Sequence, residues 1–337
     1  MSAAEPMGAA ETAPSDEPRV VVTDWNFPNL DREQAVLKGL SVRFEAHQAL
    51  EEGELLELLP GADAALVQFA PITERVLEAL RGCRVVVRYG VGVDNIDIDA
   101  AARLGIPIAY VPDYCTDEVA DHTTTLLLAL LRRLPSYDRS IREQVWEPAG
   151  VGGAMKPLDE VTVGLIGLGR IGSRVLGRLR TFGCRLIVHD PYLTPDWAAE
   201  HRVELVELER LLASADAISL HLPLSEATHH LIDAAKLERM KPTAVLVNTA
   251  RGALIDTDAL AQALNHGLVG GAALDVFEQE PLPADSPLRK APNLLMTPHA
   301  AWYSSRSIGR LQQLAAEEVR RALLGEPLRC PFRPGKP

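Results

Sequence analysis

The stretch VTVGLIGLGRIG, Val161 to Gly172, sets the reading of the whole chain. Its first half, up to Ile166, is an almost continuous apolar run, as expected of a strand covered on both faces. Its second half is Gly167-Leu168-Gly169-Arg170-Ile171-Gly172, and beyond it Val175, Leu176 and Leu179 recur at helical spacing. The pattern predicts strand, tight turn and helix. Gly167 permits the turn, Gly169 lets the backbone approach a ligand, and Gly172 lets the helix pack close to the strand. The first N–H groups of such a helix have no partner and its dipole favours negative charge, so the turn suits a pyrophosphate. A bare GxGxxG is a weak signal. Here the next apolar run, RLIVHD, ends in an acid, Asp190, 23 residues after Gly167. That carboxylate can accept from ribose hydroxyls and repels a 2′-phosphate, so the expected cofactor is NAD rather than NADP.

Working outward, short β-branched runs alternate with helical patterns upstream: RVVVTD then 31–38, SVRFEA then 54–59, AALVQF then 74–80, RVVVRYG then 98–104. Downstream come RLIVHD, AISLHLP, TAVLVNTA followed by 258–265, GGAALDVF and NLLMTP. Two such series predict two parallel sheets. Between them lies a helical stretch over 116–142, interrupted by Pro135, and a last helix over 304–324 is stopped by Gly325 and Pro327. The expected fold is α/β, with two Rossmann-like or flavodoxin-like lobes. An NAD-binding lobe, residues 112–299, is inserted in a discontinuous substrate-binding lobe, residues 19–111 and 300–330. A length of 337 residues suits two domains of about 150 each.

Residues 1–18 break this texture. They carry Glu5, Glu11, Asp16 and Glu17, no base and no apolar period, so a disordered tail is expected. A net charge of −12 lacks the electrostatic footprint for phosphate backbones, and no direct nucleic-acid partner is expected. The longest apolar run, near 126–131, is far short of the ~18 residues that span a bilayer. No basic segment followed by an apolar one marks the start, so a cytoplasmic protein without membrane attachment is expected. Cys83, Cys115, Cys184 and Cys330 stand far apart with no zinc spacing, which predicts reduced thiols and no metal.

Three further segments follow later predicted strands, where ligands bind in open α/β sheets: Asn248 to Gly252, Asp275 to Pro281 and Thr297 to Trp302. They hold the side chains that hydride transfer to a 2-keto acid requires. A guanidinium, Arg251, can grip carboxylate and carbonyl oxygen in a fork. A histidine, His299, can give a proton to the developing alkoxide. A carboxylate, Glu280, can orient that imidazole and favour its protonated form. Each alone could be a turn residue, a loop acid or a structural histidine. Each stands after its own strand and downstream of a dinucleotide site, which makes chance a poor explanation.

With these residues in place, the chain resembles the D-isomer-specific 2-hydroxyacid dehydrogenases from Arg19 to Leu328. GVGVDNIDI, GLGRIG, HLPLSEATHHLI, NTARGALID, ALDVFEQEP and TPHAAW carry the resemblance. It implies that Arg251 binds substrate, that Glu280 and His299 form the acid/base pair, and that Val91 and Gly92 close over the substrate carboxylate. It also implies that Val119, Leu222, Pro223, Thr228, Thr249, Ala250, Asp275 and His299 border the cofactor. Asp275 could instead cap a turn. The segments RYGVGVDNIDI, FGCRLIVHDPYL and TPHAAWYS look most like the C-terminal binding protein branch, and the chain is also similar to phosphoglycerate dehydrogenase. Trp302 stands where most relatives carry a small residue, and its indole is expected to line the substrate side. Asp113 and Tyr114 also depart from the small residues common there.

The resulting expectation is an NAD-dependent D-2-hydroxyacid dehydrogenase. The rival from another class is an NAD-sensing interaction protein, because animal members of the similar branch act as transcriptional corepressors. Formate dehydrogenase fits less well, since that family resembles this one but carries an amide where Glu280 stands. A homodimer held by the cofactor lobe is expected, because the leucines of 126–131 look too apolar for a free surface.

Overall fold

The computed structural model describes residues 17–333. The expected disordered tail over 1–18 lies outside them, apart from Glu17 and Pro18. The chain forms two compact units. One is carried by the chain up to Tyr114 together with the part from Ser305 onward; the other is Cys115–Ser304.

The first unit has strands β1 (Arg19–Val22), β2 (Arg43–Ala46), β3 (Ala64–Val67), β4 (Val85–Arg88) and β5 (Ile108–Tyr110). They form one parallel sheet in the order β2-β1-β3-β4-β5, the flavodoxin-like order. Val21, Ala65, Val67 and Val86 of the sheet are buried with Leu55, Leu77 and Leu80 from its helices. The final helix, Ser305–Leu323, packs on helix Asp31–Leu37 and on β3 and β4, burying Leu311, Ala315 and Val319 at four-residue intervals. Strand β5 escaped the sequence reading: it is three residues long and framed by Pro107 and Pro112.

The second unit has β6 (Thr162–Ile166), β7 (Arg185–His189), β8 (Glu204–Leu205), β9 (Ala217–Leu220), β10 (Val245–Asn248), β11 (Gly271–Leu274) and β12 (Leu294–Met296). All pair in parallel, in the order β12-β11-β10-β9-β6-β7-β8. From β6 the chain moves outward to β7 and β8, then returns to add β9 on the other side. The C-terminal ends of β6 and β9 are therefore the topological switch point, where a crevice opens in such sheets. β9, β10 and β11 are buried along their whole length, as expected of mostly apolar strands covered on both faces, with Ser219 and Asn248 as their buried polar residues. The expected α/β class with two parallel sheets is the fold observed.

The helical stretch differs in one detail. Helix Thr116–Leu131 ends two residues before Arg133, which takes a left-handed φ of 54°, and a second helix, Leu134–Arg142, follows. Pro135 lies in the first turn of that second helix, where its missing N–H costs nothing. Leu126, Leu127 and Leu130 are buried within their own unit, packed with Val163, Val175 and Val247. Leu131 packs in part on the same core and Leu128 is half-buried, so much, though not all, of this leucine face is covered within its own unit. The exposed large apolar groups near them are Leu134, Ile141, Val145 and Trp146, the last 86% exposed. Among the described residues no helix is long and apolar enough to cross a membrane.

Candidate active site

The glycine turn follows β6 into helix Arg170–Arg180. Gly167 has φ 87°, and a Cβ there would stand 2.8 Å from the His221 carbonyl oxygen and from Leu222 Cδ2. Gly172 allows the first turn of the helix to fold back: a Cβ there would meet the Gly167 carbonyl oxygen at 2.6 Å. At Gly169, which caps the helix without a side chain, an added Cβ would meet nothing within 4 Å. The turn is thus tight where it meets protein and open at Gly169, at the free N–H groups of the helix start. Asp190, just after β7, accepts the Leu168 N–H at 2.8 Å on one oxygen and the Tyr192 N–H at 2.9 Å on the other. Each oxygen keeps a lone pair for a ribose hydroxyl. An open N-terminus beside a fixed carboxylate fits a dinucleotide.

The remaining cofactor candidates lie on the loops after β9, β10 and β11 and on helix Thr116–Leu131. Leu222 packs over Gly167, and Thr228 closes the loop that begins there, donating to the Pro223 carbonyl at 2.8 Å and accepting from Ser225 N–H at 2.8 Å. Val119 is buried on helix Thr116–Leu131. Thr123 on the same helix donates to the Val119 carbonyl and lies 2.7 Å from the Thr249 hydroxyl, which puts Val119 and Thr249 side by side. Burial pushes His221, hydrogen-bonded to Ser219, down to about 4, so it is a neutral structural group beside the turn.

Arg251 is set by its neighbours. The buried Asn248 at the end of β10 accepts from Ala250 N–H at 3.0 Å and donates to the Arg251 carbonyl at 2.8 Å. Gly252 then lies against the backbone of the next loop: a Cβ would fall 1.9 Å from the Phe277 carbonyl carbon. This contact joins the arginine loop to the loop that bears Glu280.

His299 follows β12 with φ 51°, in the left-handed region that costs a non-glycine residue about 1 kcal/mol or more. Its N–H donates to the Asp275 carbonyl at 2.8 Å. The fully buried Asp275 carboxylate accepts from Ala300 N–H at 2.8 Å, Ala301 N–H at 2.9 Å and the Thr297 hydroxyl. Asp275 thus ties down the histidine loop, which is the turn-capping alternative noted for it. The imidazole Nδ1 is 2.7 Å from Glu280 Oε2, and Glu280 Oε1 accepts from Phe277 N–H at 2.9 Å. Burial acts to raise the Glu280 carboxyl. The hydrogen bond and charge of His299, the Phe277 N–H and the Arg251 guanidinium outweigh it and hold the group below its ordinary range. Glu280 is therefore an ionised acceptor that fixes the ring through Nδ1.

Arg251, Glu280 and His299 come from three loops at the C-terminal ends of β10, β11 and β12. Trp302 is half-buried in the turn after His299, edge-to-face with Tyr303 at 5.8 Å. Val91 and Gly92 belong to the first unit, after β4, and their role rests on the resemblance alone. Sequence reading did not single out His122 and Thr123, whose hydrogen-bond partners Thr297 and Thr249 stand 175 and 126 positions away. Among the described residues no three His, Cys, Asp or Glu groups cluster to hold a metal.

Comparison with known proteins agrees with this geometry. The family model described as D-isomer specific 2-hydroxyacid dehydrogenase, NAD binding domain, matches residues 124–301. A glyoxylate reductase of Korarchaeum cryptofilum is 43% identical over 251 residues, covering 74% of this chain and 76% of that one. A D-3-phosphoglycerate dehydrogenase of Synechocystis sp. is 38% identical over 281 residues, 83% of this chain but only 50% of that one. The chain thus spans about half the length of that relative. Among solved structures, a Thermus thermophilus protein superposes with a TM-score of 0.84 at 35% identity, covering 94% of this chain and 100% of that one. D-lactate dehydrogenase from Aquifex aeolicus, complexed with NAD and lactic acid, gives a TM-score of 0.81 at 29% identity, covering 91% and 96%. The chain belongs to the D-isomer specific 2-hydroxyacid dehydrogenases, NAD-dependent oxidoreductases acting on CH–OH donors.

Proposed function

We propose that this protein interconverts a small 2-keto acid and its D-2-hydroxy acid, with Arg251, Glu280 and His299 as its catalytic residues. The observation that carries this reading is the 2.7 Å contact between His299 Nδ1 and Glu280 Oε2, beside an arginine loop that rests on the same Phe277 backbone. Arg251 holds the substrate carboxylate. His299 Nε2 gives its proton to the carbonyl oxygen as that oxygen gains charge, and takes it back in the reverse direction. Glu280 keeps the imidazole oriented and balances its positive charge. Bound NAD supplies or accepts the hydride. Gly167, Leu168, Gly169, Arg170, Ile171, Gly172, Asp190, Leu222, Pro223, Thr228, Thr249 and Ala250 hold that cofactor, with Val119 and Asp275 bordering it.

The unit containing Cys115–Ser304 is the NAD-binding domain in this proposal, and the unit with Val91 and Gly92 is the substrate-binding domain. The substrate is a keto acid with an apolar or thioether tail, because Trp302 offers an indole face and crowds a charged head group. The protein works as a homodimer, its interface including the exposed Leu134, Ile141, Val145 and Trp146; light scattering at micromolar concentration should give twice the 36.6 kDa chain mass. The deciding experiment adds NADH and a panel of 2-keto acids and follows the loss of NADH absorbance. Turnover of several keto acids supports the dehydrogenase. NADH binding without turnover on any of them supports an NAD-sensing interaction protein instead.

A further inference from the structure

We propose that His122 is a positioning residue for the His299 loop, acting through Thr297 and Asp275. The inference rests on the function proposed above.

The relevant atoms form a line. His122 Nε2 is 3.1 Å from the Thr297 hydroxyl and 3.7 Å from Asp275 Oδ1. Thr297 has one hydroxyl hydrogen and gives it to Asp275, so toward His122 its oxygen can only accept. His122 therefore donates through Nε2. Asp275 is fully buried, and the donors to its carboxylate are Thr297, Ala300 and Ala301. These three residues flank His299, whose own N–H is held by the Asp275 carbonyl. One carboxylate thus fixes both sides of a histidine in the left-handed region, and His122 fixes the hydroxyl that orients that carboxylate.

His122 suits this task by its place. It sits on helix Thr116–Leu131, three residues after Val119, with its side chain 27% exposed. That helix also packs on β10 and β11, whose ends carry the arginine and glutamate loops. Among the described residues no hydrogen bond or ion pair joins His122 to Glu280 or to the His299 ring; its partners are Thr297 and Asp275. Its effect reaches the reaction through the placement of His299, where an error of about 1 Å can cost two orders of magnitude in rate.

The test uses His122→Leu, His122→Gln, Thr297→Val and the His122→Leu/Thr297→Val pair in the full chain. Glutamine keeps a donor near the Nε2 position and carries no ring. Removal of the donor should lower kcat for keto-acid reduction about tenfold in His122→Leu, with KM and NADH affinity changed less than about twofold. His122→Gln should recover to within about threefold of the parent. The double variant should lose no more than about twofold beyond the worse single variant, because both break one line. Amide hydrogen exchange at Ala300 and Ala301 should speed up in His122→Leu, a readout that needs no substrate. The proposal is overturned if glutamine is no better than leucine, if the losses of the two single variants multiply, or if kcat and NADH affinity fall together. If the parent turns over no keto acid, the functional reading fails, while exchange at Ala300 and Ala301 still decides whether His122 holds the loop.

Discussion

Gly252 and Phe277 touch backbone to backbone: a Cβ on residue 252 would lie 1.9 Å from the Phe277 carbonyl carbon and 2.3 Å from the Glu278 nitrogen. Two loops from neighbouring strands are thereby pressed together, one ending in Arg251, the other leading to Glu280. Phe277 N–H also donates to Glu280. The backbone spacing of the two loops is thus set by main chain, which no rotamer change at residue 252 or 277 can relieve.

Gly252→Ala should accordingly be costly out of proportion to one methyl group. Overpacking a rigid site typically costs about 1–3 kcal/mol. We expect a Tm lower by several degrees and kcat/KM lower by about a hundredfold or more, read by calorimetry and steady-state kinetics. A variant with parent-like Tm and kcat/KM would show that the loops are not held in register by this contact.

The Glu280 carboxyl lies below its ordinary range in the folded protein. Its depressed pKa means that the stabilisation it contributes is present above the unfolded value of 4.5 and is lost as pH falls through the lower folded value. The pair with His299 should therefore hold across neutral and mildly acidic pH. Glu280→Gln removes the ionised acceptor that faces His299 Nδ1, so the acid-side loss of stability tied to this carboxyl should shrink and kcat for keto-acid reduction should fall about tenfold or more. A variant with the parent's kcat and the parent's acid-denaturation midpoint would contradict the assigned pair.

Asp190 sets the nucleotide preference in this account. Its carboxylate is anchored by Leu168 N–H and Tyr192 N–H and cannot swing away from a 2′-phosphate without releasing both. Asp190→Ser should raise the NADP-to-NAD ratio of kcat/KM by at least about tenfold, roughly 1.4 kcal/mol. Equal use of both cofactors by the parent would refute the assignment.

In the function proposed, substrate choice turns on Trp302. Keto acids with apolar or thioether tails should outperform 3-phosphohydroxypyruvate in kcat/KM, and Trp302→Ala should narrow the gap. A preference of about tenfold or more for the phosphorylated substrate in the parent would favour a phosphoglycerate dehydrogenase.

Much of this was legible in the chain because strands buried on both faces are written as unbroken apolar runs, and glycine turns as fixed spacings. VTVGLI, AISL and AVLVN fell where the strands are. Strand β5 did not show, since three residues between two prolines carry no period. Composition marks the leucines of 126–131 as apolar without saying what covers them; Leu126, Leu127 and Leu130 pack with Val163, Val175 and Val247 of the same unit, while Leu128 stays half-buried. Arg251, Glu280 and His299 were found by the chemistry they share. The part of Asp275 in holding the His299 turn, and the line through Thr297 to His122, needed coordinates, because hydrogen bonds between residues 175 positions apart leave no mark on local sequence.

The proposed chemistry stands on His299 as proton donor rather than structural histidine. His299→Ala, assayed with NADH and the best keto acid and checked by NADH titration, tests it most directly. The account predicts a loss of roughly 10²–10⁴-fold in kcat, the usual size of a positioned acid/base, with the NADH dissociation constant within about twofold of the parent. A kcat within about threefold of the parent, or a loss of NADH binding that accounts for the lost rate, would contradict it.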